Sequence, residues 1–253
     1  MKRGILIVFE GIDGSGKSTQ LRRAAAALRE RGLDILETGE PTKGTWGRKI
    51  REMARTTDRV PRETELAWFI KDRREHMRDT VLPALEAGRI VLCDRSYFST
   101  VAYQGARGFD PAQLLADARA EFGHPDLVLF FDIDPEQGLA RVAARGGQHE
   151  PVFEELNYLE RVAEIFRGLA VPELVRIDAG KSEDEVAAAV RAAIDGIVGG
   201  VRSTDSGRTR RHPRSEVGKR RLCAFSRPGL RRSSLLRARL QIGFDDLTRP
   251  SHR

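Results

Sequence analysis

The residues from Gly11 to Ser18 read Gly-Ile-Asp-Gly-Ser-Gly-Lys-Ser: a glycine, four residues, then Gly-Lys-Ser. Such an order suits phosphate. Gly11, Gly14 and Gly16 allow backbone conformations that are costly for residues with a Cβ, so successive N–H groups can converge on phosphate oxygens. Lys17 would reach the β- and γ-phosphates, and the Ser18 hydroxyl would ligate Mg²⁺. A chance match to a loose pattern is the competing explanation. Context argues against it: the apolar run Ile5 to Phe9 comes before the loop, and an Ala-rich helical stretch, Thr19 to Arg31, follows.

Two further groups could do chemistry beside bound phosphate. Asp94-Arg95 follows the apolar run Ile90 to Cys93. A carboxylate there can hold Mg²⁺ directly or through water, and the guanidinium can pair with a phosphate in two-pronged fashion. Phe69 and Arg73 are four apart and share a helix face, an arrangement that suits stacking on a base and bonding its carbonyl. On the residues alone, Phe69 is better read as core. His76, His124 and His149 read as solvated or structural.

The elements that must position these groups alternate. After the first helix, Leu33 to Glu37 reads as a second strand and Gly39 to Gly44 as a loop. Trp46 to Ala54 is helical, and Arg62 to Ala87 is a long helical stretch with a bend expected at Pro83 and an end at Gly88. Arg89 to Cys93 is the third strand, Tyr97 to Gly105 and Pro111 to Phe122 are helices, and Asp126 to Phe131 is the fourth strand. Pro135 to Arg145 and Glu154 to Leu169 are helical around a break, Leu174 to Asp178 is the fifth strand, and Ser182 to Val198 is the last helix. Strands this continuously apolar, interleaved with helices, predict an α/β fold with a five-stranded parallel sheet and helices on both faces. Ligands then bind beyond the carboxyl ends of the strands, where Glu10 to Ser18, Asp94-Arg95-Ser96 and Asp132-Ile133-Asp134 are expected to converge.

The chain has 253 residues, enough for one α/β domain of about 200 residues with a sizeable core. Cys93 and Cys223 are too few for a disulfide framework, no run approaches the length of a membrane span, and the start of the chain leads straight into a core strand. A cytoplasmic protein is expected. The net charge of +7 is concentrated after Val198, where fifteen Lys and Arg face four Asp and Glu. The first 198 residues are therefore net negative, and the basic balance says little about what the fold binds.

In order and spacing, Phe9 to Gln20, Glu40-Pro41-Thr42, Asp72-Arg73, Cys93 to Ser96, Ser99 to Gly105 and Pro125 to Ile133 resemble the thymidylate kinase family. The resemblance covers about residues 3 to 197. It implies a P-loop nucleoside monophosphate kinase-like fold, a homodimer, ATP as phosphate donor, Mg²⁺ and the substrate dTMP, converted to dTDP. Gly11, Ile12, Asp13, Gly14, Ser15, Gly16, Lys17, Ser18 and Thr19 would hold ATP. Phe69 would stack on thymine, Arg73 would bond its O4, and Thr100 and Gln104 would meet its other polar edge. Tyr103 would lie against the deoxyribose, with Glu40 on the substrate side. Arg95 would hold the acceptor phosphate, and Asp13 would act with Asp94 and Ser18 around Mg²⁺ and the acceptor. Arg141 and Arg145 match the start of a lid over about residues 141–154 that supplies catalytic arginine where the loop has none, as here with Gly14. Two departures stand out. Gly39 occupies a position where members often carry arginine before Glu-Pro, with Lys43 and Arg48 as candidate substitutes. Glu150-Pro151-Val152-Phe153-Glu154 replaces a pattern that often contains one more lid arginine.

The acceptor phosphate has a second pKa near 6, so the attacking oxygen is already ionised at pH 7 and needs no general base. One rival is a kinase for another deoxynucleoside monophosphate; another is a nucleotide-switched partner of nucleic acid, docked by the basic segment 199–253. That segment holds Arg208 to Arg211 and Lys219 to Arg221, but no aromatic stacking set accompanies the arginines. It reads as a disordered, solvated extension in preference to a nucleic-acid arm, and the kinase domain as residues 1–198.

Overall fold

Ile7, Val8 and Phe9 lie in succession on Ile5–Glu10 (β1) with almost no exposure. Neighbouring side chains of a strand point to opposite faces, so three buried in a row require cover on both. The computed structural model describes residues 3–56, 60–144 and 153–199, with side chains in the last stretch from residue 156 onward. β1 pairs in parallel with Ile90–Asp94 (β3) and Leu127–Asp132 (β4). Ile35–Gly39 (β2) and Leu174–Asp178 (β5) complete a parallel sheet ordered β2-β3-β1-β4-β5.

The helices follow from that order. Lys17–Glu30 (α1) carries the chain from β1 toward β2, and every later crossover runs the opposite way along the sheet. Right-handed crossovers then put α1 on one face and the helices of the later crossovers on the other. Thr45–Ala54 (α2), Arg62–His76 (α3) and Leu82–Glu86 (α4) join β2 to β3; Tyr97–Gly105 (α5) and Pro111–Phe122 (α6) join β3 to β4. Pro135–Ala143 (α7) and Phe153–Gly168 (α8) lead to β5, and Glu183–Val198 (α9) returns to pack on α1. Phe9 stacks on Phe131 with ring centroids 5.8 Å apart at the centre of the core. Truncating either ring to Ala would cost roughly 3–5 kcal/mol. The strand order reverses at β1, so a crevice opens beyond its carboxyl end.

Three sequence expectations need correction. The second strand is Ile35–Gly39, two residues later than its apolar run suggested, because Gly39 pairs in register with Asp94. Gly39 is therefore strand, not loop. The long helical stretch does not simply bend at Pro83; Met77–Val81 form a π-helical turn, with the Leu82 N–H donating to the Met77 carbonyl. Pro83 lacks an N–H and its ring crowds the carbonyl of Asp79, and a wider turn just ahead of it relieves that conflict. Thirdly, α1 begins at Lys17, so Lys17 and Ser18 belong to its first turn.

Candidate active site

The loop between β1 and α1 is held open for an anion by its backbone. Gly14 has φ +81° and Gly16, the residue before α1, has φ +85°, both left-handed. A Cβ on Gly14 would sit 2.0 Å from the carbonyl oxygen of Gly138 on α7, so the loop lies directly on that helix. No side chain caps α1, and its first turn holds no acid. The free N–H groups and the positive end of the helix therefore face the crevice. Lys17 is buried, its Nζ 3.4 Å from Asp13 Oδ1 and 3.5 Å from the Ile12 carbonyl oxygen. Burial, then the nearby Arg95 charge, lowers its pKa against the pull of Asp13, Asp94 and Glu10. Ser15 is buried with its hydroxyl unpartnered among the described residues, and Thr19 is half-buried.

β3 delivers Asp94 and Arg95 to the same place. The Ser18 hydroxyl donates to Asp94 Oδ2, while Asp94 Oδ1 is buried without a partner among the described residues. Arg95 takes φ +73°, the only positive φ at a non-glycine among the described residues. Glu10 holds that corner. Its Oε1 accepts from the Ser96 N–H at 2.7 Å and the Ser96 hydroxyl at 3.0 Å, and its Oε2 accepts from the Ser99 hydroxyl at 2.5 Å. Desolvation raises the Glu10 pKa, against those hydrogen bonds and the Arg95 charge. The Arg95 guanidinium reaches Asp13 Oδ1 at 2.6 Å and the Ser99 hydroxyl at 2.9 Å, and lies 5.2 Å from the centre of the Tyr103 ring. Desolvation of Asp13 pushes its pKa up, but Arg95 and Lys17 prevail and hold it low.

A second cluster lies between α3 and α5. Arg73, 3% exposed, donates from Nε to Glu40 Oε2 at 2.9 Å and from Nη2 to the Thr100 hydroxyl at 2.9 Å. Glu40 Oε1 also meets His76 Nδ1 at 3.0 Å, and Thr38 meets the other ring nitrogen at 2.6 Å, so His76 is structural and buried. Gln104 donates to Glu65 Oε1 at 3.0 Å, and Phe69 is half-buried. Desolvation would raise the Glu40 pKa, but the Arg73 charge and His76 together lower it below its ordinary 4.5. A depressed carboxyl pKa contributes stability that is present above the unfolded value and lost as pH falls through the folded one. Glu40→Gln is therefore expected to lower stability at pH 7, with the gap to the native chain closing at pH values below 4.5. Urea midpoints measured across that range check it. A gap independent of pH would contradict it.

These residues do not all meet. A cleft of about 880 Å³ is bordered by Asp13, Lys17, Ser18, Asp94, Arg95 and Glu40. Phe69, Thr100, Tyr103 and Gln104 do not line it; Tyr103 is joined to it through Arg95, and Thr100 through Arg73 and Glu40. Arg141 is turned elsewhere, donating to the Ala179 carbonyl at 2.9 Å. Arg145, most of the lid over 141–154, and the segment 200–253 lie outside the described residues. Of the expected acidic clusters, Asp132 is used by Arg167 and Arg176, and Asp134 caps α7. Neither borders the cleft.

Residue patterns placed Glu10 in the cluster at the end of β1 but gave it no role; they missed Gly138, for which there is no signal, and Arg51. Arg51 borders the cleft and donates to the carbonyls of Pro41, Thr42 and Gly47, bracing the loop after β2. Lys43 borders the cleft as well, whereas Arg48 bonds the Lys43 carbonyl and does not. Among the described residues no cluster of three or more His, Cys, Asp or Glu could hold a metal, and no helix is long and apolar enough to cross a membrane.

The family model described as thymidylate kinase matches residues 9–190. A thymidylate kinase of Desulfotalea psychrophila is 46% identical over 184 residues, 72% of this chain and 90% of that protein. One from Akkermansia muciniphila is 44% identical over 194 residues, 76% of this chain and 92% of its own length. One from Xanthomonas oryzae pv. oryzae is 40% identical over 210 residues, 81% and 91% of the two chains.

Proposed function

The chain belongs to the thymidylate kinase family, and from that premise we propose how its residues divide the work. The reaction is transfer of the γ-phosphoryl group of ATP to dTMP, giving dTDP. What supports the division most is one observation: Arg95 and Lys17 both bond Asp13, between the phosphate loop and the end of β3. Two cations on one loop carboxylate can separate onto two anions, donor and acceptor.

Residues Gly11 to Thr19 cradle the donor phosphates, with Lys17 on the β- and γ-oxygens. Arg95 holds the acceptor phosphate; burial works against its charge, but the carboxylates of Asp13, Glu10 and Asp94 outweigh it, so it remains ionised. No base is needed, since the acceptor is already ionised. Alignment and charge neutralisation are what the site provides. Mg²⁺ fits Ser18 and Asp94: their side chains touch, and the buried Asp94 Oδ1 is left over. One carboxylate and one hydroxyl match an ion that takes its other ligands from phosphate and water. When bound, it supplies charge neutralisation at the transferred phosphate.

Phe69 stacks on the base, Arg73 donates to O4, Thr100 and Gln104 meet the remaining edge, and Tyr103 packs on the deoxyribose. Glu40 sets the Arg73 orientation. Arg141 and Arg145 serve as the catalytic arginines that the loop lacks. Residues 1–198 form the catalytic unit, cytoplasmic and homodimeric. For the dimer, the support is α3, where Leu66 and Ile70, four apart on one face, remain only half-buried.

A coupled assay of ADP release with ATP, Mg²⁺ and each of dTMP, dUMP, dCMP, dGMP and AMP tests this on the full chain and on a chain ending at Val198. Turnover is expected with dTMP, and with dUMP reduced roughly 10- to 200-fold, the value of one methyl group in a pocket. The two chains should agree within about twofold, because every residue assigned a role lies within residues 1–198. Loss of turnover on removing that segment would refute the assignment of catalysis to residues 1–198.

A further inference from the structure

Resting on the reading that dTMP is the acceptor, we propose that Glu65 is a specificity-determining positioning residue. It holds the Gln104 amide so that only the amide oxygen can face the base, which selects a pyrimidine with hydrogen on N3 and rejects cytosine.

Two ties span the helices at different levels: Arg73 to Thr100, and Gln104 to Glu65. Glu65, Phe69 and Arg73 recur every four residues and share one face of α3, as Thr100 and Gln104 share one face of α5. Phe69 therefore sits at the level between the ties, where the base is to stack. Glu65 is 5% exposed and Gln104 1%. Arg107 pairs with Glu65 Oε2, and a carboxylate can only accept. What Gln104 offers it, at 3.0 Å, must be the NH₂. The orientation of this amide is thus dictated by its partner and not by convention.

The consequence falls on the other end of the amide. Gln104 Oε1 is buried and has no donor among the described residues. A buried acceptor without a donor is costly, so a ligand that supplies one is favoured. Thymine and uracil present N3–H as a donor beside O4 as an acceptor. Cytosine presents N3 as an acceptor beside an amino donor. Against Gln104 Oε1 and the Arg73 guanidinium, whose Nη1 takes no part in the bonds to Glu40 and Thr100, thymine matches at both positions and cytosine at neither. If Glu65 were free to donate, the Gln104 amide could turn and the first of those two rejections would vanish.

The test is kcat/KM of the full-length chain for dTMP, dUMP and dCMP with ATP and Mg²⁺, native against Glu65→Gln. Gln at 65 can accept or donate, so it leaves either face of Gln104 free to turn. The dTMP-to-dCMP ratio is expected to narrow by about tenfold or more, chiefly through KM, the scale of one exchanged hydrogen bond. The dTMP-to-dUMP ratio, which reads only the methyl group, should hold. A merely structural role for Glu65 would lower all three substrates in parallel, and that result, or an unchanged ratio in a folded variant, overturns the proposal. Should Glu65→Gln fail to fold, Glu65→Ala removes the acceptor altogether, and nothing then holds the Gln104 amide in one orientation. The same narrowing is expected of it, and its absence is equally fatal. Native protein that turns over dCMP as readily as dTMP, or neither, refutes the dTMP reading itself; native preference retained in both variants refutes only the role of Glu65.

Discussion

Replacing Arg95 with Ala is expected to lower kcat for dTMP phosphorylation by roughly 10³-fold, the scale of a transition-state arginine in phosphoryl transfer. The reasoning starts from the backbone. A non-glycine residue at φ +73° is strained, and the strain is sustained by Glu10, whose carboxylate accepts from both Ser96 and Ser99, and by the Arg95 N–H donating to the Phe9 carbonyl at 2.9 Å. That conformation aims the guanidinium at Asp13, beside the buried Lys17. With the cation gone, the acceptor phosphate faces the donor without compensation, and Asp13 keeps only Lys17. Arg95→Lys should recover a minor part, since an ammonium keeps the charge but loses the planar fork and its contact with Tyr103. Single-turnover rates with saturating dTMP separate turnover from binding. A rate within threefold of native for Arg95→Ala would remove Arg95 from the chemistry.

How far this site could be read from residues alone depended on distance along the chain. The phosphate loop and Asp94-Arg95 were readable because each is a short run placed at the end of an apolar strand. The parallel sheet was readable because Ile7 to Phe9 and Val128 to Phe131 are apolar without alternation, which only burial on both faces explains. The second strand was misplaced because Leu33 is as apolar as Ile35. What decides is the pairing of Gly39 with Asp94, a contact no local pattern carries. Glu65 and Arg107 were invisible for the same reason: a charged pair on two helices looks like two solvated faces until the helices are packed. The π-helical turn was half visible, since Pro83 announces a disturbance but not its form. Glycine was informative about conformation and silent about contact, and Gly14 is the instance with the largest consequence.

Gly14→Ala is expected to reduce kcat/KM for ATP by roughly 10²-fold or more, the cost of displacing reacting groups by an ångström or so. Two independent penalties meet at this residue. A left-handed φ of +81° costs roughly 1–2 kcal/mol for any residue with a Cβ. The Cβ would also lie 2.0 Å from the Gly138 oxygen and 2.6 Å from its carbonyl carbon, and backbone cannot swing aside as a side chain can. α7 resists moving: Asp134 caps its first turn and Pro135 fixes its start. Gly138 cannot yield by becoming smaller, and a Cβ of its own would already be 2.9 Å from the Asp13 carbonyl. The phosphate loop must therefore deform, taking the N–H groups of α1 out of line. The same contact leaves no room for a side chain at position 14. dTMP affinity should change by less than about threefold, because Arg73 and Thr100 lie away from the affected contact. Calorimetric titration of ATP and dTMP, with the thermal midpoint, reads these terms apart; native ATP affinity in the variant would mean that the loop and α7 are not locked together as their spacing requires.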